Sequence, residues 1–339
     1  MRFTEIAKFD LEAFISTAIS NARTVANVSL GTFLYFVAAT ALDGGFVYGQ
    51  TKVIAHRGAS GYCVEHSEGA KALAHAQRAD YIEQDVVLSK DKVFVVSHDL
   101  TLNATTNVQE TYPGRARADG KYYTADFTWE ELEKLELRGR APENLGGCGQ
   151  RMMRLDHEVV FLRQLDRSFN RKTGLYIELK GAGFHKKEFG LSMGEELLKV
   201  LAKLEVAHDP ESCLIQCFEP DELIDLHEKG CPYKLIQLMG DRFEGNIDEI
   251  AKYAYGVGPS ANLLAKKEAG AGVVSTGFVE NAKRAGLKVH PYTVRLNMQP
   301  KWSSSIDETH RVLVDQLKVD GFFTDYPDLG RSAVEMLSK

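Results

Sequence analysis

Eight short apolar runs, separated by stretches with helical spacing, dominate the chain beyond residue 50 and leave few architectures open to it. They are Val53–His56, Tyr81–Val87, Leu175–Lys180, Cys213–Cys217, Lys234–Leu238, Gly256–Pro259, Lys288–Thr293 and Gly321–Thr324. Each reads as a buried strand. Helices are predicted at Glu65–Arg78, Lys187–Leu204, Pro220–Lys229, Val273–Ala285 and Ile306–Leu317. A ninth run, Val93–Ser97, follows the second across only the polar turn Ser89–Lys92. Parallel neighbours need a crossover of about a dozen residues, so this pair must be an antiparallel hairpin. With the hairpin strand set aside, the pattern predicts an α/β fold, a TIM (β/α)8 barrel. Residues 107–171 form a long interruption after the hairpin that ends at His98, read as a small insertion subdomain at the barrel mouth. Within it, Thr128 and Glu131 have the spacing of a capping box at a helix start.

In a parallel barrel the strand C-terminal ends share one face, where active sites are built. The first run delivers His56 and Arg57 to that face. Glu83 and Asp85, two residues apart on the second, point the same way. His98 ends the hairpin, and Glu178 with Lys180 ends the next run. Two imidazoles can exchange protons near neutral pH, and three carboxylates suit a hard divalent cation with oxygen ligands. Together these groups are the equipment for metal-assisted cleavage of a phosphate ester.

The same residues fall in a longer series of motifs. They are His56-Arg57-Gly58-Ala59-Ser60, Glu65-His66-Ser67, Glu83-Gln84-Asp85, Ser97-His98-Asp99 with Thr105-Thr106, and Tyr176-Ile177-Glu178-Leu179-Lys180. Gln216-Cys217-Phe218, Gln237-Leu238-Met239, His290-Pro291-Tyr292-Thr293-Val294-Arg295 and Phe323-Thr324-Asp325-Tyr326-Pro327 follow in order. Through these motifs the chain, from about Val53 to Lys339, resembles the glycerophosphodiester phosphodiesterases, most closely the bacterial periplasmic type. The resemblance implies hydrolysis of a glycerophosphodiester to glycerol 3-phosphate and an alcohol. In this family the neighbouring glycerol hydroxyl attacks phosphorus, and water then opens the cyclic phosphate. His56 is expected as base and His98 as acid, with Glu83, Asp85 and Glu178 as metal ligands. Ca2+ is preferred to Mg2+ through the same resemblance. Arg57 and Lys180 are expected to hold the phosphate, Gln216 to touch metal or substrate, and Phe218 and Tyr292 to wall the glycerol pocket. His66 is expected to support the metal site. The chain departs from its relatives at Ser260, where an acidic residue is common, at Cys217, where the wider family has serine, and in the glycine-rich stretch 139–155. A lysophospholipase D-like enzyme on the same barrel is the alternative. A non-catalytic surface protein is a weaker one, because both histidines and all three carboxylates are present.

The chain has 339 residues, 44% hydrophobic and 26% charged, an ordinary globular balance with room for a barrel of about 250 residues plus insertions. A net charge of −6 argues against nucleic acid as partner, which needs a concentrated basic face. The substrate is therefore expected to be a small molecule. Five cysteines, Cys63, Cys148, Cys213, Cys217 and Cys231, are too few and too irregular for a disulfide framework. Nothing in the sequence sets the oligomeric state.

Residues 1–50 lie outside the resemblance and read as a leader before the 51–339 barrel. Residues 24–42 carry no charge, and Ala39-Thr40-Ala41 fits a small-x-small cleavage site. A cleaved signal peptide and export to the periplasm or beyond are expected. The run is also nearly as long as the roughly 20 residues that span a bilayer, so an uncleaved anchor is the alternative, and a retained extension a third. Residues 3–19 repeat apolar side chains at helical spacing, which fits either an extended leader or misplaced start, or an amphipathic helix that would give membrane contact through residues 1–42.

Overall fold

Alternation along the second barrel strand sets the layers of the fold. Tyr81, Glu83 and Asp85 lie on one face of Tyr81–Leu88, and Ile82, Gln84 and Val86 on the other; all are buried. Ile82, Val86 and Leu88 join the large outer core beneath the surrounding helices. Tyr81 joins a smaller cluster with Ile54, Tyr176, Leu214, Ile236 and Phe323, contributed by five other strands. A barrel interior filled by inward side chains from successive strands has this composition.

The computed structural model describes residues 50–140 and 149–337. Residues 1–49 of the expected leader, and residues 141–148 of the glycine-rich tract, Cys148 among them, lie outside the described residues. The strands are β1 (Lys52–Ala55), β2 (Tyr81–Leu88), β3 (Phe94–Val96), β4 (Met153–Arg154), β5 (Gly174–Leu179), β6 (Cys213–Cys217), β7 (Lys234–Met239), β8 (Gly256–Pro259), β9 (Ala265–Glu268), β10 (Gly272–Ser275), β11 (Lys288–Val289) and β12 (Gly321–Thr324). Eight of them follow the order β11-β8-β7-β6-β5-β2-β1-β12, each parallel to its neighbour. The seam between β11 and β12 has no regular ladder. It is bridged by the parallel pair Val294–Thr324 and by backbone bonds Asp320 N to Val289 O, 3.1 Å, Phe323 N to Pro291 O, 2.9 Å, and Val294 N to Phe323 O, 2.8 Å. The TIM-barrel expectation therefore holds.

β3 pairs antiparallel with β2, as the short polar turn requires, and β4 extends this flap by one more strand. The inserted segment builds a core of its own around Phe127, Leu132, Leu135 and Leu137, which reaches Val87 and Val95 of the hairpin. Thr128 and Glu131 form the capping box of helix Trp129–Leu132. The 15-residue helix Leu155–Phe169, inside the span expected as insertion, buries Leu155, Val159 and Leu162 in the barrel's outer core instead. It is the crossover to β5.

Two helical expectations change. Lys187–Leu204 is two helices, Ala182–Phe189 and Met193–Lys203, divided at Gly190, whose φ of 67° ends the first in the left-handed region that glycine adopts without a Cβ clash. Val273–Ser275, expected as the first turn of a helix, instead lies in β10, which pairs antiparallel with β9; the helix runs only over Phe278–Arg284. Among the described residues no helix is long and apolar enough to cross a membrane.

Candidate active site

Register brings the carboxylates together before any side-chain preference acts. Asp85 on β2 stands level with Glu178 on β5, and Glu178 with Gln216 on β6. Glu83 faces the same way as Asp85, one step below. One carboxylate oxygen each from Glu83, Asp85 and Glu178 lies within 4.8 Å of the others, and all three residues are buried. Buried like charges without a cation are costly, and they resist ionisation. Burial, then the Asp85 charge, pushes Glu83 well above the carboxylate range. Burial raises Glu178 to about 8 against the pull of Lys180, with Asp85 adding to the rise. Asp85 goes the other way: burial would raise it, but Lys180, His66 and Arg57 together hold it low. Asp85 Oδ1 and Glu178 Oε1 have no aligned hydrogen bond, although Lys180 Nζ lies 3.3 and 2.6 Å from them as an ion-pair partner. Three hard oxygen donors with spare lone pairs, repelling one another, fit a divalent cation.

The turn after β1 is bent by backbone necessity. Gly58 has φ of 86°, and a Cβ there would lie 2.7 Å from the Ala70 backbone. Arg57 itself is held at φ of 59°, and its N–H donates to Glu83 Oε2 at 2.6 Å. Its guanidinium donates to Glu65 Oε2 at 3.0 Å and lies 3.3 Å from Asp85 Oδ2. His66 Nε2 lies 2.8 Å from Asp85 Oδ2, one of the clustered carboxylates. Burial, and then the Lys71 charge, lowers His66 to about 3, so it stays neutral and can donate one N–H to that carboxylate.

Each of the two cavity-facing histidines is bound through Nδ1 to a carboxylate. His56 Nδ1 is 2.6 Å from Asp325 Oδ1, and Asp325 Oδ2 accepts from Arg295 Nε at 2.9 Å. Burial, with Arg57 alongside, lowers His56 to about 4, which leaves a neutral ring able to accept a proton. His98 Nδ1 is 2.6 Å from Asp99 Oδ1. In both cases the bond leaves Nε2 unclaimed. His56, Arg57, Glu83, His98, Glu178 and Lys180 all line one cavity of about 280 Å³ at the C-terminal end of the strands.

The remaining expected residues lie on the same wall or beneath it. Asp85 lies under the cavity floor and does not line it. Gln216 lines the cavity, and its buried Oε1 has no hydrogen-bond partner. Phe218 and Tyr292 line it too, with ring centroids 5.9 Å apart, edge to face. Ser260 is also in the wall, and its hydroxyl donates to Asp241 Oδ1 at 2.6 Å, so a carboxylate approaches this place from a neighbouring loop. Sequence reasoning did not assign Asp325, Glu65 or Arg140. The first two stood in quoted motifs beside assigned residues. Arg140 gave no signal in its glycine-rich surroundings. His290 bonds Tyr176 OH at 2.9 Å in the barrel interior.

Residues 56–329 match the model of the glycerophosphoryl diester phosphodiesterase family. The chain belongs to that family. This phosphodiesterase is 34% identical over 321 residues to a glycerophosphodiester phosphodiesterase of Haemophilus influenzae, covering 82% of this chain and 88% of the relative. It is 33% identical to one of Treponema pallidum, covering 82% and 90%. Among solved structures, its fold is similar to an Oleispira antarctica phosphodiesterase in complex with the product sn-glycerol-3-phosphate. The TM-score is 0.63 and the identity 21%, over 84% of this chain and 97% of the other. A glycerophosphodiester phosphodiesterase of Agrobacterium tumefaciens gives a TM-score of 0.59 at 23% identity, over 83% and 99%. The phosphodiesterase described here is thus a phosphoric diester hydrolase.

Proposed function

We propose that the enzyme cleaves glycerophosphodiesters to glycerol 3-phosphate and an alcohol, with His56 and His98 as proton carriers and a cyclic phosphate between the two steps. The observation that carries this reading is the pair of histidine–carboxylate bonds, His56 to Asp325 and His98 to Asp99, beside one cavity whose floor is acidic. His56, neutral and buried, takes the proton of the attacking glycerol hydroxyl. His98, nearer solvent, protonates the departing alcohol, and the roles reverse when water opens the ring. Lys180 holds a phosphate oxygen and Arg57 balances the carboxylates around it. Glu83, Asp85 and Glu178 would hold a divalent ion, Ca2+ before Mg2+, whose chemistry is to neutralise charge at phosphorus and acidify the attacking hydroxyl.

A phospholipid-cleaving variant of the same reaction draws on one observation. Phe218, Leu296 and Met298 are large apolar side chains left exposed, and the first and last of these line the cavity. Release of glycerol 3-phosphate from glycerophosphocholine, measured in EDTA and then with Ca2+ or Mg2+ restored, tests the leading reading. Turnover restored by Ca2+ supports it, undiminished turnover in EDTA removes the metal from it, and turnover of lysophosphatidylcholine alone favours the second. We further propose export, on the uncharged segment 24–42; N-terminal sequencing of the protein from its native source tests it.

A further inference from the structure

Arg140 links the insertion to the barrel at three points. Its Nη1 donates to Asp99 Oδ2 at 2.9 Å, and its Nε and Nη2 grip Glu65 Oε2 and Oε1, both at 2.9 Å. Glu65 is in turn held by Arg57 Nη1 at 3.0 Å. Asp99 therefore has one oxygen assigned to each neighbour: Oδ1 to His98 and Oδ2 to Arg140. We infer that Arg140 is a positioning residue for protonation of the leaving alcohol, acting through Asp99 on His98. The inference rests on the reading of His98 as the acid.

The argument is geometric. His98 and Asp99 follow β3 on a loop, with side chains 32% and 27% exposed. An ion pair that exposed, standing alone, does little to fix either side chain. A guanidinium fork matches a carboxylate in two places at once and loses little freedom in doing so. Gripping Glu65, whose side chain is only 14% exposed, the fork carries the rigidity of the barrel floor out to Asp99. The His98 bond, and then Arg140, holds Asp99 well below the usual carboxylate range, so it remains an acceptor for Nδ1–H. The Nε2 atom then stays directed at the cavity. Arg140 does not itself line that cavity.

Proton donation matters in proportion to the basicity of the leaving group. Choline leaves as a strongly basic alkoxide and needs the proton, whereas p-nitrophenolate leaves without it. The test compares the full chain with Arg140→Gln, Arg140→Lys and His98→Ala on glycerophosphocholine and on glycerophospho-p-nitrophenol. Arg140→Gln is expected to slow the first-step release of choline, read in a single turnover, by about tenfold, a fraction of the 10²–10⁴ carried by a whole general acid. KM and the first-step release of p-nitrophenol should stay within about twofold of wild type, the opening of the cyclic phosphate being common to both substrates and outside this reading. Arg140→Lys keeps the charge without the fork and should fall between, a comparison that stands even where the glutamine variant melts early. Equal losses on both substrates, or none on either, would overturn the inference. His98→Ala separates the two layers of argument. If it discriminates between leaving groups and Arg140→Gln does not, only the role of Arg140 falls. If His98→Ala itself fails to discriminate, the acid assignment falls and the inference with it.

Discussion

The Nδ1 of His56 lies 2.6 Å from Oδ1 of Asp325, a bond between residues 269 apart that ties the end of β1 to the end of β12. Asparagine at 325 would keep the shape and lose the charge that orients the ring and supports its protonated form. Asp325→Asn is expected to lower kcat on glycerophosphocholine by about 10²–10⁴ with KM little changed. Steady-state kinetics decide it; a kcat within threefold of wild type would remove His56 from its role as base.

Ion binding should be visible without turnover. A ligand that binds only the folded state, at a hundred times its dissociation constant, stabilises by about 2.7 kcal/mol. Saturating Ca2+ is therefore expected to raise the melting temperature by roughly 5 °C. Glu178→Gln should abolish most of that rise, because Glu178 is one of only three clustered donors among the described residues. Scanning fluorimetry with and without the ion is the measurement, and an identical rise in the variant would move the ion elsewhere.

Much of the fold was legible because strand burial is written locally. β6, β8 and β12 have the boundaries that their apolar runs predict, and the β2–β3 hairpin follows from the length of one turn. The β9–β10 hairpin was not legible, since Val273 and Val274 also fit the apolar spacing of the helix that starts four residues later. The site divides in the same way. Glu83, Asp85 and His98 lie within one short stretch, and their convergence follows from strand alternation. The partners Asp325 and Arg140 come from far along the chain, and only the closed barrel and the folded insertion bring them in.

Behind β2, Lys71 and Glu158 form a salt bridge at 3.0 Å with both side chains wholly buried. Lys71 also donates to the backbone carbonyl of Glu83, and Gln84 donates to Glu158 Oε1 at 3.0 Å. Removing one partner strands the other charge in the core, at a cost of about 3–5 kcal/mol. Lys71→Met should show that loss in urea unfolding, and the double variant Lys71→Met with Glu158→Leu should regain most of it. A single variant as stable as wild type would mean that the pair carries no burial penalty.

Stability should fall on the acid side for a traceable reason. Burial lowers His185 and His310 to about 4 from an ordinary 6.5. The unfolded chain therefore binds protons at these positions that the folded chain refuses. Their contribution is fully present above pH 6.5, declines as pH falls and is gone below about 4. Urea midpoints measured from pH 7.5 to 4.5 should drop through this window, and His310→Leu should flatten the drop. An unchanged slope in that variant would exclude His310 as a cause.

The junction of β1 with β12 also bears on when the site can form. A chain that stops before β12 already contains the acidic floor and His98, but no partner for His56. On the proposed role of His56, the site is complete only once Asp325 is in place. A fragment cut short of β12 is then expected to leave the diesters around it untouched, so activity would report that β1 and β12 have met.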